Sequence, residues 1–267
     1  MWTITEVLQN FFTHRDFLPE PALLPGTLFT PLHLVFALVW ALVVAAVCRW
    51  LYRKPEQTIR RCLAALWAVT VVLEPTKIIW ETLTGAQVAF NWTGLLPLYP
   101  CSIFMYAMPF ALWGKGQVRE SACGYVCSLG LLGGLINFVY PANILCAYSC
   151  LSFAGMHTFF YHGTIVLCAM TRLLSGYHKL TGITRFRQLL RPAVPFLIMS
   201  VVANLVNFSP VGSDYMFFRL ESFFFAPLGA ALPKWATVLI AYAAYFIIHA
   251  LPYLPSYIAN RRKVNVV

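Results

Sequence analysis

Apolar residues in this chain fall in long continuous runs rather than at alternating positions. Seven of the runs approach the ~20 residues that a bilayer core of about 30 Å demands of a helix. They are Pro31–Tyr52, Cys62–Leu83, Leu95–Gly114, Ser121–Val139, Ser152–Leu174, Leu189–Phe208 and Lys234–Leu254. The second is interrupted by Glu74, Pro75 and Lys77. Ser222–Leu232 (SFFFAPLGAAL) is too short to cross and reads as an interfacial or re-entrant piece, its phenylalanines as a membrane-interface belt. Residues 1–30 lack the basic start and apolar core of a signal peptide and read as an interfacial segment with a Pro-rich entry. Continuous runs argue against a transmembrane β-barrel. The pattern predicts an all-α, polytopic membrane protein. A seven-transmembrane helix bundle over 31–254 follows the N-terminal segment and leads into a basic tail, 255–267.

Composition narrows the class further. The chain is 60% hydrophobic, 16% aromatic and 10% charged, with a mean hydropathy of +0.71. Soluble domains carry about 25% charged residues, so too few charges remain here to coat a globular surface. A soluble enzyme, a disordered chain and a collagen-like chain are excluded.

Lysine and arginine give the orientation. Arg49, Arg53, Lys54, Arg60 and Arg61 lie between the first two runs, and Lys115 and Arg119 between the third and fourth. Arg172, Lys179, Arg185, Arg187 and Arg191 lie between the fifth and sixth, and Arg261, Arg262 and Lys263 in the tail. These are fifteen of the nineteen basic residues. Arg15, Arg219 and Lys234 fall on the other side, and Lys77 falls within a run. The alternation predicts an N-terminus outside and a C-terminus in the cytoplasm. Topology and anionic lipid account for the net charge of +10, and a nucleic-acid partner is not required.

In that orientation the intramembrane polar residues gather in the outer half of the bilayer, where ionisable groups mark a functional cavity. Glu74, Lys77 and Glu81 share one helical face by their spacing of three and four. Cys101 lies about six residues, roughly 9 Å of rise, into the third helix. His157 and His162 lie between the outer boundary and the midplane, separated by about 140° around their helix. Asn137 ends the fourth helix there, Asn204 and Asn207 end the sixth, and Asp214 and Tyr215 follow in the next outer loop. The plain reading for Glu74 and Lys77 is a structural ion pair beside a kink at Pro75. His249, toward the cytoplasmic half, reads as a packing or interhelical hydrogen-bonding residue.

Cysteine spacing predicts no metal site: C-x-x-C is absent and no Cys/His cluster has zinc spacing. Cys146 and Cys150 fall in an outer loop, where an oxidising compartment would permit a disulfide. Asn91-Trp-Thr93 is a glycosylation sequon that matters only in a eukaryotic secretory membrane. Cys101 follows Leu96-Pro97-Leu98-Tyr99-Pro100, and two prolines break the helix start just before it. Such a break is tolerated where it lines protein or a wet cavity, so this thiol faces a cavity.

The stretch LPLYPCSIFMYAMPFAL resembles the LPL-x-x-CSI signature of the YwaF family of bacterial integral membrane proteins. FFYHGTIVLCAM resembles its H-G motif, and GSDYMFF its Gly-Asn-Tyr-Met-Phe box. The matches come in the family's order, and the resemblance runs from about Val69 to Pro252. That family is related to the eukaryotic transmembrane protein 164 group, described as acyltransferases that use a membrane cysteine and histidine to move acyl chains between phospholipids. The resemblance implies Cys101 as nucleophile, His162 as general base, phospholipids and lysophospholipids as partners, and a bacterial inner membrane as location. Two positions depart from the pattern. Tyr99-Pro100 stands where the family has a polar residue such as histidine, and Asp214 stands where it has asparagine.

Lipid acyl transfer needs a nucleophile that holds the acyl group as a thioester and a base that manages its proton. Tyr99, Asn137, Lys77 and Tyr215 are candidate oxyanion donors, one such group being worth about 3–4 kcal/mol. His157 competes with His162 for the role of base. No cofactor, coenzyme A or metal is needed. Two rivals remain: a small transporter or lipid-binding protein that uses Glu74 and Lys77, and a lipid hydrolase that uses the same cysteine and histidine.

Overall fold

The computed structural model describes residues 1–86, 96–183, 185–210, 212–221 and 226–264, with side chains up to 260. The Asn91 sequon, the Phe223–Phe225 belt and the side chains of Arg261–Lys263 lie outside the described residues. The fold is all-α, 73% helical, with no strand among the described residues.

Helices underlie every apolar run, but their lengths differ from the expected ones. Pro31–Leu51 and Glu56–Thr84 are long and continuous. Gly116–Leu145 crosses a π-helical turn at Val126–Gly130, and Phe186–Asn207 passes a short 3-10 turn at Arg191–Ala193. These four are long and apolar enough to cross a membrane. Lys234–Ala250 with Leu254–Asn260, bent by 67°, makes a fifth if the pair is one span. The third run is helical only over the 11 residues Ile103–Trp113. At ~1.5 Å per residue that is about half the bilayer core. Phe153–Leu174 is a full 22-residue helix, but its histidines and threonines dilute its apolar character.

Local chemistry explains these boundaries. Thr30 caps the first long helix by accepting from the His33 amide at 3.4 Å, and Pro31 occupies the first turn, where no amide is needed. In Glu56–Thr84 the hydroxyls of Thr70, Thr76, Thr82 and Thr84 donate to carbonyls one turn back, at 2.9, 2.7, 2.9 and 2.7 Å. Each polar side chain is thereby satisfied without water, which lets a threonine-rich helix enter hydrocarbon. Pro75 is accommodated within the helix. The faces of these two helices are largely uncovered: only 17% and 11% of their apolar windows are buried inside the protein. Contiguous exposed positions such as Leu34, Val35, Leu38, Val39 and Leu42 have the character of a lipid-facing surface.

Residue contacts divide the chain into two compact units, Met1–Leu95 with Leu131–Thr171, and Leu96–Gly130 with Arg172–Val267. In the first, Phe159 is the aromatic hub, with Phe36 at 5.0 Å, Phe138 at 5.9 Å and His33 at 6.0 Å. The N-terminal segment is stitched onto the 145–153 turn by backbone bonds from Leu28 to Leu145, from Cys150 to Gly26 and from Phe153 to Phe11. Burial pushes the Cys150 thiol up to about 12, which makes it an inert packing group. In the second unit Phe196, fully buried, packs 4.5 Å from Tyr245, and Phe218 lies 4.9 Å from Tyr242. His249 forms the interhelical bond its position suggested: Nδ1 lies 2.9 Å from Ser128 Oγ in the π turn.

Two glycines fix the turn before Phe153–Leu174. A Cβ on Gly155 would lie 2.3 Å from the Ser149 carbonyl oxygen and 2.7 Å from Cys150 Cα. Gly26, at φ +80, would meet the Cys150 sulfur at 2.7 Å. Gly163→Ala is different, since its Cβ would make ordinary contacts at 3.5 Å. Gly155→Ala is therefore expected to destabilise the protein by about 1–3 kcal/mol. Gly163→Ala should stay within about 1 kcal/mol of wild type, on the favourable side if helix propensity dominates. Thermal unfolding of both variants in detergent checks the contrast.

Candidate active site

Sequence-selected residues fall in both units. Glu74, Lys77, Asn137, His157 and His162 belong to the first, and Tyr99, Cys101, Asp214 and Tyr215 to the second.

In the first unit, the C-terminal half of helix Glu56–Thr84 presents its acidic and basic residues to two different partners. Lys77 Nζ lies 2.8 Å from one Glu81 oxygen, and Arg15 of the N-terminal segment lies 3.0 Å from the other. Glu74 instead sits 3.3 Å from His157 Nε2, without hydrogen-bond alignment. The expected Glu74–Lys77 pair is thus revised, because Glu81 one turn on is the better placed partner for Lys77. Arg15 was not singled out from the sequence. Its backbone amide also donates to the Tyr148 hydroxyl at 3.3 Å, and burial pushes that phenol up to about 12, so it stays protonated.

His157 and His162 are both buried, at 7% and 8% exposure. Their 140° separation is bridged by one ring: Tyr161 stacks on His157 at 5.9 Å and meets His162 edge-on at 5.3 Å. His162 Nδ1 lies 2.9 Å from the Thr158 carbonyl oxygen. A carbonyl only accepts, so Nδ1 carries the proton and Nε2 keeps the lone pair. Gly134 is a positioning residue that sequence reasoning missed. A Cβ there would lie 3.2 Å from the His162 carbonyl oxygen and 2.7 Å from Val166 Cγ2. Its absence lets helix Leu131–Val139 lie directly on the His162 turn; the Gly-Gly pair in LLGGL was the available signal. Asn137, on the same helix, donates to the Gly133 carbonyl at 2.9 Å.

In the second unit, Cys101 does not lie within the third helix. It occupies a turn that ends at Ile103, where the helix begins. Pro97 and Pro100 delay the helix start, and the amides of Ser102 and Ile103 donate back to Tyr99 at 2.9 and 3.3 Å. Tyr125 donates its hydroxyl to the Pro100 carbonyl beside this turn. The phenols of Tyr125 and Tyr245 both lie within electrostatic reach of the Cys101 sulfur. Neither tyrosine was selected from the sequence, since one more tyrosine on an apolar helix carries no signal.

The loop at Asp214–Tyr215 is held by side chains that close on its backbone. Asn207, fully buried, accepts from the Tyr215 amide at 2.8 Å and donates to the Tyr215 carbonyl at 2.9 Å. Asp214 accepts from the amides of Arg219 and Glu221, at 2.7 and 2.9 Å. These clamps hold Met216, Phe217 and Leu220 at φ values of 56, 54 and 53. Non-glycine residues in the left-handed region cost about 1–3 kcal/mol each and cluster at functional sites. Tyr99 packs edge-on against Tyr215 at 5.1 Å. The Tyr215 hydroxyl is buried beside the Leu96 backbone, with no well-aligned hydrogen bond among the described residues. Burial pushes it up to about 12, so it remains a donor at neutral pH.

Asp214 therefore uses both oxygens in loop closure, as an asparagine could with one. Asn207 has no such substitute. Asn207→Ala strands the buried Tyr215 amide and leaves the Tyr215 carbonyl with only the 3.4 Å bond from the Phe218 amide, and should cost about 1–3 kcal/mol. It should also open the 212–221 loop to protease, whereas Asp214→Asn should lose less than half as much. Thermal unfolding and limited proteolysis in detergent check both.

No curated protein and no solved structure matches the chain. A family model, by contrast, matches residues 28–256, a stretch that takes in the Cys101 turn, both histidines of the 153–174 helix and the strained loop at Asp214. By that match, which covers most of its length, the chain belongs to the TMEM164 family.

Proposed function

We propose that this membrane protein transfers fatty acyl groups between glycerophospholipids, with Cys101 as the thioester-forming nucleophile and His162 as the general base. The observation that carries this reading is the state of His162. Its Nδ1–H is committed to the Thr158 carbonyl at 2.9 Å, which leaves the lone pair at Nε2 for proton transfer. Support for the nucleophile comes from the motif match of the LPLYPCSI segment and from the proline-delayed turn that keeps Cys101 out of regular helix.

The chemistry is an exchange of esters. The Cys101 proton passes to the imidazole, and the sulfur attacks the donor ester carbonyl. The C–O bond then breaks, and the imidazolium returns its proton to the departing lysolipid oxygen. In the second half, the imidazole takes the proton of an acceptor hydroxyl. The resulting oxygen attacks the thioester, the C–S bond breaks, and the proton goes back to the sulfur. Tyr215, a protonated phenol that packs against Tyr99 and donates no hydrogen bond among the described residues, is the best supported oxyanion donor in its unit.

The same reading takes the chain across the membrane seven times, N-terminus outside and C-terminus cytoplasmic, from the alternation of its basic loops. The order of its three motifs supports kinship with the bacterial YwaF proteins and hence a location in an inner membrane.

Incubation of the full chain with labelled phospholipid should produce a hydroxylamine-sensitive protein adduct that Cys101→Ala abolishes. His162→Ala should slow transfer to added lysophospholipid by about 10²–10⁴-fold, with Cys101 alkylation measured alongside to show that the fold persists. An adduct that survives Cys101→Ala, or that never forms in wild type, overturns the covalent mechanism and favours the transporter or lipid-binding reading. Free fatty acid as the product even with lysolipid present identifies a hydrolase.

A further inference from the structure

A second site, unconnected with acyl transfer, lies within the second unit. A cavity of about 410 Å³, open on one side, is lined by the 176–183 loop, Glu120 and Gly124 in the second half of helix Gly116–Tyr125, the Gln188–Pro192 turn and Tyr253 at the 67° bend of the last helix pair. Its polar lining is dominated by hydrogen-bond donors. Lys179 and Arg191 supply two cations, and Gln188, Thr181, Tyr177 and His178 supply neutral polar groups. Glu120 is the one carboxylate in the lining, and Arg191 already neutralises it at 2.6 Å. His178 bonds Tyr253 through Nε2 at 2.7 Å, and burial pulls it down to about 4, so it is an uncharged polar group at neutral pH.

An independent observation stands behind the wall. Arg172, 4% exposed, donates to the Ala111 carbonyl at 2.5 Å and to the Cys123 sulfur at 3.0 Å, and its Nε has no hydrogen-bond partner among the described residues. Neither bond goes to a carboxylate. A buried guanidinium without an acidic partner is costly unless an anion nearby offsets it. Its carbonyl accepts the His178 amide at 3.1 Å, and its charge is felt at the His178 ring, so its field reaches the cavity.

We infer that this cavity binds a phosphate group, as the headgroup of an anionic membrane lipid or as the free anion. A phosphate offers only acceptor oxygens and negative charge, which is what two cations and a ring of donors complement. Most of the lining belongs to the block Arg172–Arg191, which carries five basic residues and no acidic one, the class of segment that faces an anionic leaflet. Gly176 and Gly182, at φ +76 and +82 with open space around them, let the loop backbone curve around the cavity without side chains filling it.

The test is titration of the detergent-purified full chain with dioctanoyl phosphatidic acid, dioctanoyl phosphatidylcholine and inorganic phosphate, read by ligand-induced thermal shift. Phosphatidic acid should bind at least about tenfold more tightly than phosphatidylcholine. Lys179→Gln and Arg191→Gln should each weaken phosphatidic acid about tenfold, the loss of one charge-assisted contact. Glu120→Gln breaks the same ion pair as Arg191→Gln but removes the competing anion, so it should tighten binding. Free phosphate that competes at concentrations equal to phosphatidic acid identifies the ligand as the free anion, and failure to compete identifies the lipid. The inference is overturned if Glu120→Gln and Arg191→Gln weaken binding alike. It is also overturned if Arg60→Gln in the first unit weakens it as much, or if the two lipids bind equally.

Discussion

A polar group inside hydrocarbon has no water to fall back on and must find its partner within the chain. Most of this structure is an answer to that requirement. Threonines along Glu56–Thr84 turn their hydroxyls back onto their own helix. Ser128 donates to the Gly124 carbonyl at 2.7 Å while its oxygen meets His249, so the π turn is stitched to a second helix by one hydroxyl. Lys77, Glu81 and Arg15 close into a charge cluster where a solitary lysine would be prohibitive. Groups that escape this bookkeeping, such as the Tyr215 hydroxyl and Arg172 Nε, are informative because the medium makes them expensive.

The same constraint shapes the candidate active site. In a neutral imidazole the hydrogen bonds decide which nitrogen carries the proton. The Thr158 carbonyl makes that choice for His162. Small residues then decide what can approach: Gly134 brings one helix backbone onto the His162 turn, and Gly155 brings the Ser149–Cys150 turn onto the start of the same helix. Around Cys101 the means are different. Two prolines keep the thiol out of the helix, and the phenols of Tyr125 and Tyr245 lie within its electrostatic reach. The loop at Asp214 stores backbone strain, held by Asn207 from a neighbouring helix end.

Much of this was legible before any fold was known. Run length and hydropathy identified the helices, because a bilayer imposes a length and a composition that few other environments share. Pro97 and Pro100 announced a break before Cys101, although they displaced the thiol from the helix altogether rather than leaving it inside. The third run read as a full crossing because periodicity cannot register where a proline-rich start stops being helical. Glu74, Lys77 and Glu81 were correctly gathered on one helix, yet their partners were misassigned. Spacing along one helix says which side chains are neighbours, but not which group on another segment, here Arg15 or His157, competes for them.

The amino-acid sequence by itself determined the class of the molecule, an all-α chain built for hydrocarbon, and its relation to the TMEM164 family. Those properties follow from composition and order, which folding does not alter. Only the tertiary structure decided which carboxylate meets which cation, which nitrogen of His162 carries the proton, that Tyr125 and Tyr245 lie near Cys101, that Asn207 clamps the Tyr215 backbone and that Gly134 lies against the His162 turn. Such choices depend on distances of a few ångströms between segments far apart in the chain, and no local pattern encodes them.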